Sequence, residues 1–551
     1  MVTTIAFSTL ALQAQNLVQL TDSTQLNGLS VTGQPGQLGG RDCDIGDIDG
    51  DGDQDFVVGG ASFLIYVNAH AAPGAVFDSN EAYGAFRMES ATRVTGASFP
   101  WQGAADAVHL ADLDGDSDLD VVVGFRSRTQ VIYLNNGLGV FTTIPTNLTP
   151  VNETTTSIDS ADIDGDGDLD LVFGTVSHVA GGAWVGGQSQ LFRNDGIIGG
   201  LLTFTNITAT NLPAMVLFTE DLAFGDLDGD GDLDLVLGNR TFSSGPFAVP
   251  GQNLVYLNNG VGAFTNDASR IYSIGLGNEF TYGIELADFE GDGDLDLVAA
   301  NAPGSLVALN TGGAGWALAP ATVLASNGGF NHDVAVGDVD LDGDPDLVFA
   351  SNRQGVGMPA QDNEEVYVNN GATPPVFTRT FLGNGNDSRI TGTTRASNAI
   401  CLGDLDRDGD LDALTAEWTQ SQPSIFANLH RQIDAPRTVQ INTVLNIDHY
   451  SQPQYGVGIE WYTTFIGAPL IPRTPLLSMG DLGIDLSLVL YYPMNLALRG
   501  TGATKSTISQ LVPNDVTLIG LPVWYQSAFW GAQPNLTAES RLSNVTRTLI
   551  Q

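Results

Sequence analysis

The sequence predicts an all-β protein: a seven-bladed β-propeller followed by a small C-terminal β-sandwich domain. Three observations carry that expectation. A nine-residue acidic pattern, as in Asp162-Ile-Asp-Gly-Asp-Gly-Asp-Leu-Asp170, occurs seven times. Its first acids, Asp47, Asp112, Asp162, Asp226, Asp288, Asp338 and Asp404, stand 65, 50, 64, 62, 50 and 66 residues apart. A mean near about 60 residues is room for four short strands and their loops, the size of a propeller blade. Apolar runs of strand length dominate, broken by 66 Gly and 24 Pro, and helical periodicity is scarce.

Taken in order, residues 1–15 hold Met1-Val-Thr-Thr-Ile-Ala-Phe-Ser-Thr-Leu-Ala-Leu-Gln-Ala14, the apolar part of a secretory signal without its basic start. Residues 16–430 are expected to form the ring. Each unit begins with a short alternating stretch such as Asp333-Val-Ala-Val-Gly337 or Ile284-Glu-Leu-Ala287. The acidic loop follows, then an Asp-Leu-Val-x-Gly run, or a variant of it, suited to a buried strand. A third strand ends near Asn, as in Ile132-Tyr-Leu-Asn-Asn-Gly137, Val255-Tyr-Leu-Asn-Asn-Gly260 and Val366-Tyr-Val-Asn-Asn-Gly371. Asn-Gly marks a turn because both residues tolerate positive φ. A fourth strand opens with Phe141, Phe204, Phe264 or Phe377.

The seventh unit lacks that fourth strand, since Ser424-Ile-Phe-Ala-Asn428 runs directly into His430-Arg-Gln-Ile-Asp-Ala-Pro436. The stretch Leu17-Val-Gln-Leu-Thr-Asp-Ser-Thr-Gln-Leu26 resembles the missing piece and is expected to complete blade seven, removing an exposed sheet edge. Residues 431–551 have no acidic loop, and their short apolar segments alternate with Pro and Gly. Their Trp461, Trp524 and Trp530 are expected to pack in a core rather than to form a sugar platform.

The formal charge of −43 excludes sequence-independent affinity for nucleic acid, whose phosphates would be repelled. The seven loops hold 35 of the 63 acids, leaving 28 against 20 basic residues elsewhere. The acidity therefore belongs to the loops. No uninterrupted apolar run of about 20 residues is present, so no membrane-spanning helix is expected.

Five carboxylates on alternate positions of nine residues repel one another unless a cation holds them together. Calcium takes six to eight oxygens in irregular geometry, whereas magnesium demands a strict octahedron. Gly52, Gly167, Gly231, Gly293, Gly343 and Gly409 permit the sharp turn at the sixth position, where Ser117 stands in the second loop. An EF-hand would need Glu at position 12 and flanking helices. That position holds Val58, Val123, Phe173, Leu237, Ala299, Phe349 and Thr415 instead.

The pattern Asp-x-Asp-x-Asp-Gly-x-x-Asp between two strands resembles the FG-GAP/VCBS repeat family, which builds the integrin-type calcium-binding propeller. The resemblance spans about 390 residues. It implies one structural Ca2+ per loop, up to seven, held by positions 1, 3, 5 and 9 with the carbonyl of position 7. The candidate metal residues are Asp47, Asp49, Asp51, Asp53 and Asp55 in the first loop, and Asp112, Asp114, Asp116, Asp118 and Asp120 in the second. The third and fourth loops supply Asp162, Asp164, Asp166, Asp168, Asp170, and Asp226, Asp228, Asp230, Asp232, Asp234. The fifth has Asp288, Glu290, Asp292, Asp294 and Asp296, with Glu replacing Asp at the third position. The last two supply Asp338, Asp340, Asp342, Asp344, Asp346, and Asp404, Asp406, Asp408, Asp410, Asp412, with Leu341 and Arg407 in place of Gly at position 4.

The expected function is that of a secreted or cell-surface module that binds a glycan or an extracellular protein without catalysis, as the family resemblance implies. The alternative is an extracellular polysaccharide lyase or glycoside hydrolase, which needs His, Tyr, Arg or paired carboxylates outside the metal loops. The six His form no recognisable motif, and neither Gly-x-Ser-x-Gly nor His-Glu-x-x-His occurs. His109 and His332, near first strands, are expected to be satisfied core residues. Ligand contacts are expected on the long loops of the face opposite the acidic loops, Thr175–Gly187, Asn239–Gln252 and Ser351–Asn363, which carry Trp184, Phe242, Phe247 and Met358.

Cys43 lies four residues before its loop and Cys401 three, so their side chains point to opposite faces of first strands in neighbouring blades. That leaves two outcomes, a ring-closing disulfide or buried free thiols.

Overall fold

The computed structural model describes residues 20–22, 40–61, 63–68, 86–88, 90–95, 104–126, 128–144, 148, 153–178, 184–244, 247–249, 251–267, 280–302, 304–310, 322–324, 330–339, 343–351, 364–381, 397–405, 411–417 and 423–428, together with the strands of 433–550. The expected signal segment, residues 1–15, lies outside the described residues. The chain divides into two compact units, one of Gln19–Asn428 with Ile471–Arg473, the other taking in Leu429–Leu470 and Thr474–Gln551.

In the first unit, seven antiparallel sheets repeat one plan. A first strand leads through the acidic loop into a second, fully buried strand, as in Thr219–Gly225 and Asp234–Asn239. The third strand pairs with the second and the fourth with the third, as Leu254–Leu257 and Thr265–Asn266 do. The second strands read Asp-Phe-Val-Val-Gly or Asp-Leu-Val-Leu-Gly because both of their faces are covered, so no polar alternation survives in them. Apolar clusters lie between adjacent sheets; Val57, Ile65, Val108, Val121, Tyr133 and Phe141 fill the space between blades one and two.

First strands of consecutive blades adjoin all the way round, and Ser397–Gly403 of blade seven adjoins Asp42–Gly46 of blade one. The predicted seven-bladed ring is therefore closed, with the first strand of each blade innermost. Blade seven is composite: Leu20–Asp22 pairs antiparallel with Ser424–Asn428 as its fourth strand. Blade two carries an extra strand, Val94–Thr95, parallel to Phe141–Thr143.

The ring is joined across blades by backbone-directed carboxylates. Asp42 accepts from the Val108 N–H at 2.8 Å, Asp44 from Leu110 at 2.8 Å, Asp221 from Ile284 at 2.8 Å, and Asp333 from Ile400 at 2.9 Å. Burial pushes the Asp42 carboxyl up to about 7 and Asp221 up to about 6. At the junction of blades seven and one, Cys43 and Cys401 are free thiols, and the Cys401 S–H donates to the Cys43 carbonyl at 2.8 Å. His109 is held as expected, between Ser160 at 2.9 Å and Asp44 at 3.5 Å.

The second unit is also built of strands. One sheet orders Ile433–Asp434, Val444–Tyr450 and Lys505–Leu511, and another centres on Gly458–Gly467 paired with Pro522–Ala532. The latter register sets Trp461 opposite Trp530.

Candidate functional site

Among the described residues, the acidic loops are wound on their own first carboxylates. Asp162 accepts from the N–H groups of Gly165 at 2.8 Å, Asp166 at 3.1 Å and Gly167 at 3.0 Å. The same triplet closes on Asp47, Asp112 and Asp288. Tight winding needs positive φ at the sixth position, met by Gly167 at 95° and, at a cost, by Ser117 at 74°.

The ninth acid is a different kind of residue. Asp55, Asp120, Asp170, Asp234, Asp296, Asp346 and Asp412 are at most 1% exposed. In all seven loops its Oδ2 accepts from the N–H of position 2, at 2.9–3.2 Å. Its Oδ1 accepts from the N–H of the Asn that ends the third strand, at 2.6–2.8 Å. That Asn then reaches backwards around the ring. Asn68, Asn135, Asn194, Asn258, Asn310, Asn369 and Asn428 each donate a side-chain N–H to the position-2 carbonyl of the preceding blade, at 2.7–2.9 Å. Seven identical latches thus tie loop, sheet and neighbouring blade together.

The loops pass a test of fit for a hard cation. Carboxylate oxygens of Asp47, Asp49 and Asp55 come within 4.8 Å of one another, as do those of Asp112, Asp114, Asp120, of Asp162, Asp164, Asp170, and of Asp226, Asp228, Asp230. At the third position, Asp49 Oδ1, Asp114 Oδ1 and Asp164 Oδ1 are buried with no hydrogen-bond partner. The same orphaned oxygen in successive blades is what a bound divalent ion would satisfy. Burial, with the neighbouring loop acids adding to it, pushes Asp55 up to about 8 and Asp120 and Asp170 up to about 7. The seventh-position side chains turn elsewhere. A Cβ on Gly137, Gly196 or Gly260 would lie 2.5–2.9 Å from an oxygen of Asp118, Asp168 or Asp232, so these acids lie against the glycine two residues after each latching Asn. Asp340, Asp342, Asp406, Asp408 and Asp410 lie outside the described residues.

At the opposite end of the first strands is a second constellation. A β-bulge interrupts the pairing of first with second strand in six blades, between Ala105 and Ala107, Thr155 and Ser157, Thr219 and Asp221, Thr281 and Gly283, Asn331 and Asp333, and Ser397 and Ala399. The extra residue of a bulge is re-aimed away from the ladder. Here the six are Asp106, Thr156, Glu220, Tyr282, His332 and Asn398, and all of them line one cavity of about 590 Å³. Each stands six residues before the first acid of its loop; in blade one that place is Arg41, which lines the cavity too. Seven blades present seven different side chains to one space.

Ion pairs and aromatic rings complete the wall. Arg126 grips Asp106 with two donors, at 2.9 and 3.2 Å, and Arg41 reaches the same carboxylate at 2.9 Å. Arg240 pairs with Glu220 at 2.5 Å and lies 4.1 Å from the centre of the Phe218 ring. Tyr282 stacks on His332 with ring centres 4.3 Å apart. Burial and the Arg240 charge pull His332 down to about 4, so its imidazole is neutral at physiological pH. The Thr154 hydroxyl is buried without a partner, and Phe330 is 42% exposed.

Comparison with known proteins identifies the repeat. Residues 112–173, 247–299 and 288–349 match the FG-GAP-like repeat, and residues 218–257 match the FG-GAP repeat. The chain carries FG-GAP repeats. No curated protein sequence matches it. Among solved structures it is similar to BBS1N in its complex with ARL6DN, at 12% identity over 71% of this chain and 92% of that one, with a TM-score of 0.40. The Dos1 propeller is similar at 9% identity over 75% and 94%, with a TM-score of 0.38. The Photorhabdus luminescens Tc holotoxin pore is 14% identical over 93% of this chain and 20% of that chain, with a TM-score of 0.32.

Against the sequence reading, the ring differs in one way: His332, expected in a core, lines the axial cavity. Of the long loops expected to carry the ligand, backbone is described at residues 175–178, 184–187, 239–244, 247–249, 251–252 and 351, and Met358 lies outside the described residues. The axial ring itself had one usable signal, the fixed offset of six residues before each first acid, where no two blades agree. No helix among the described residues is long and apolar enough to cross a membrane.

Proposed function

We propose that this chain, with its FG-GAP repeats, is a secreted or cell-surface module whose calcium-stabilised propeller binds a glycan or protein ligand without catalysis. The observation that carries the reading is the axial cavity. Its volume lies within the range of about 300–1,000 Å³ typical of ligand pockets, and every blade contributes one unlike side chain to it. Uniform residues there would serve packing; unlike residues serve recognition. Calcium belongs at the other end, in the seven loops, where its binding to the folded state alone would stabilise the ring by mass action. The apolar residues 1–15 support export, and the two larger sheets of the second unit support its reading as a β-sandwich.

Two measurements test this. Excess EDTA is expected to lower the melting temperature by about 10 °C or more, reversed by calcium and not by magnesium; an unchanged curve removes calcium from the account. A glycan array paired with a reducing-sugar release assay is expected to give binding without release. Release would favour the second reading, a polysaccharide lyase or hydrolase, for which the neutral His332 stacked on Tyr282 speaks.

A further inference from the structure

The chemistry of the axial cavity narrows the ligand. Its described walls carry three guanidinium groups, Arg41, Arg126 and Arg240, against two carboxylates, Asp106 and Glu220, with His332 neutral. In a chain of charge −43 this is a local positive excess. The acids next along the axis, Asp42, Asp221 and Asp333, are tied to N–H groups of neighbouring first strands, and none of them lines the cavity. The planar guanidinium matches a carboxylate with two parallel hydrogen bonds.

The remaining groups suit a polyhydroxylated ring. Phe330 offers an exposed aromatic face for the C–H side of a sugar. The unpartnered Thr154 hydroxyl is a buried polar group whose missing bond a ligand hydroxyl would supply. A cavity of about 590 Å³ accepts a small ligand and excludes a folded protein surface.

We infer that the axial pocket holds a sugar unit bearing a single carboxylate, set against Arg126 and Arg240 with its apolar face on Phe330. This rests on the ligand-binding reading above and adds to it the site and the class. Two common sources of such a sugar are a uronate and a sialic acid, and the test separates them.

The probes are methyl β-glucuronide with methyl β-glucoside, and 3′-sialyllactose with lactose, titrated calorimetrically into the calcium-loaded full chain. Hexaglutamate serves as an acidic peptide. One acidic sugar is expected to bind one-to-one, with its neutral counterpart weaker by about tenfold or more, the loss expected with a charge-assisted hydrogen-bond pair. Arg126→Gln is expected to weaken that binding by about tenfold while Arg126→Lys retains part of it. Both variants should keep the wild-type melting temperature, since Asp106 still faces Arg41. Phe330→Ala should weaken binding several-fold in a similarly stable protein.

Equal binding of neutral and acidic sugars overturns the proposed class and leaves the ligand-binding reading standing, as does tighter binding of hexaglutamate. Undiminished binding in both Arg126→Gln and Phe330→Ala overturns the site. Silence from all five probes overturns the inference, and silence on a full glycan array and a peptide array overturns the broader reading with it.

Discussion

The two ends of each first strand follow opposite rules. After the strand, every blade offers the same pattern of acids at alternate positions, the same buried ninth carboxylate and the same Asn latch to the blade before. At its beginning, one bulged or terminal residue per blade points into a shared cavity, and Arg41, Asp106, Thr156, Glu220, Tyr282, His332 and Asn398 are all different. Seven copies of one interaction close a ring of equal blades. Seven unlike groups around one axis break that symmetry, and only a broken symmetry can recognise an asymmetric molecule.

The sharpest way to break the comparison is within one loop. Asp170→Ala orphans the buried N–H groups of Ile163 and Asn194, at about 1–3 kcal/mol each. Chemical denaturation should therefore report a loss of about 2–6 kcal/mol. Asp168→Ala, two residues earlier and turned toward Gly196, should cost less than about 1 kcal/mol. Equal losses would mean that the loop works as a bulk acidic patch rather than as a latch with distinct parts.

The inter-blade carboxylates test the middle of the strand. A buried acid whose carboxyl rises to about 7 contributes stability that is present below the ordinary aspartate range and is lost as pH climbs through 7. Asp42→Asn keeps an acceptor for the Val108 N–H and removes the charge. It should melt like the wild type near about pH 4 and above it near about pH 8. A constant difference across that range would deny Asp42 its raised carboxyl.

The smallest effect belongs to the second loop. Ser117 holds φ at 74°, a conformation glycine adopts freely. Ser117→Gly should stabilise the protein by about 0.5–1 kcal/mol, read by denaturant titration. A loss instead would mean that the serine side chain earns its strained position.

The ring and its loops were legible because they rest on local chemistry at fixed spacing. Acids on alternate positions with Gly at the sixth, and Asn-Gly closing the third strand, are recorded within a few residues. The Asn-Gly pairs were read as turns, and turns they are: Gly137 and Gly260 have φ of 74° and 73°. The first Asn of each triplet also carries the inter-blade latch, which no single unit discloses because its acceptor lies some 80 or more residues away, as Ile48 does from Asn135. The cavity was illegible for the same reason, more strongly. Its residues come from all seven blades, span Arg41 to Asn398, and form no motif until the ring closes. His332 shows the limit: periodicity places it on a first strand, but only the bulge between Asn331 and Asp333 turns it to the axis.

The composite seventh blade also sets a timetable. As the chain leaves the ribosome, Leu20–Asp22 emerges before any complete blade, while its partner Ser424–Asn428 emerges after six of them. Blades two to six can condense from contacts close in sequence, each latching to its predecessor, whereas the contacts of blade one with blade seven, including the Asn68 latch to Leu405, and the Leu20–Asp22 pairing all join opposite ends of the nascent ring. Closure across so long a stretch is entropically slow. Until then the edge of Ser424–Asn428 stays bare. The axial wall is complete earlier, once Ser397–Gly403 stands beside Asp42–Gly46, so the last strand locks a cavity that the first strands have already formed.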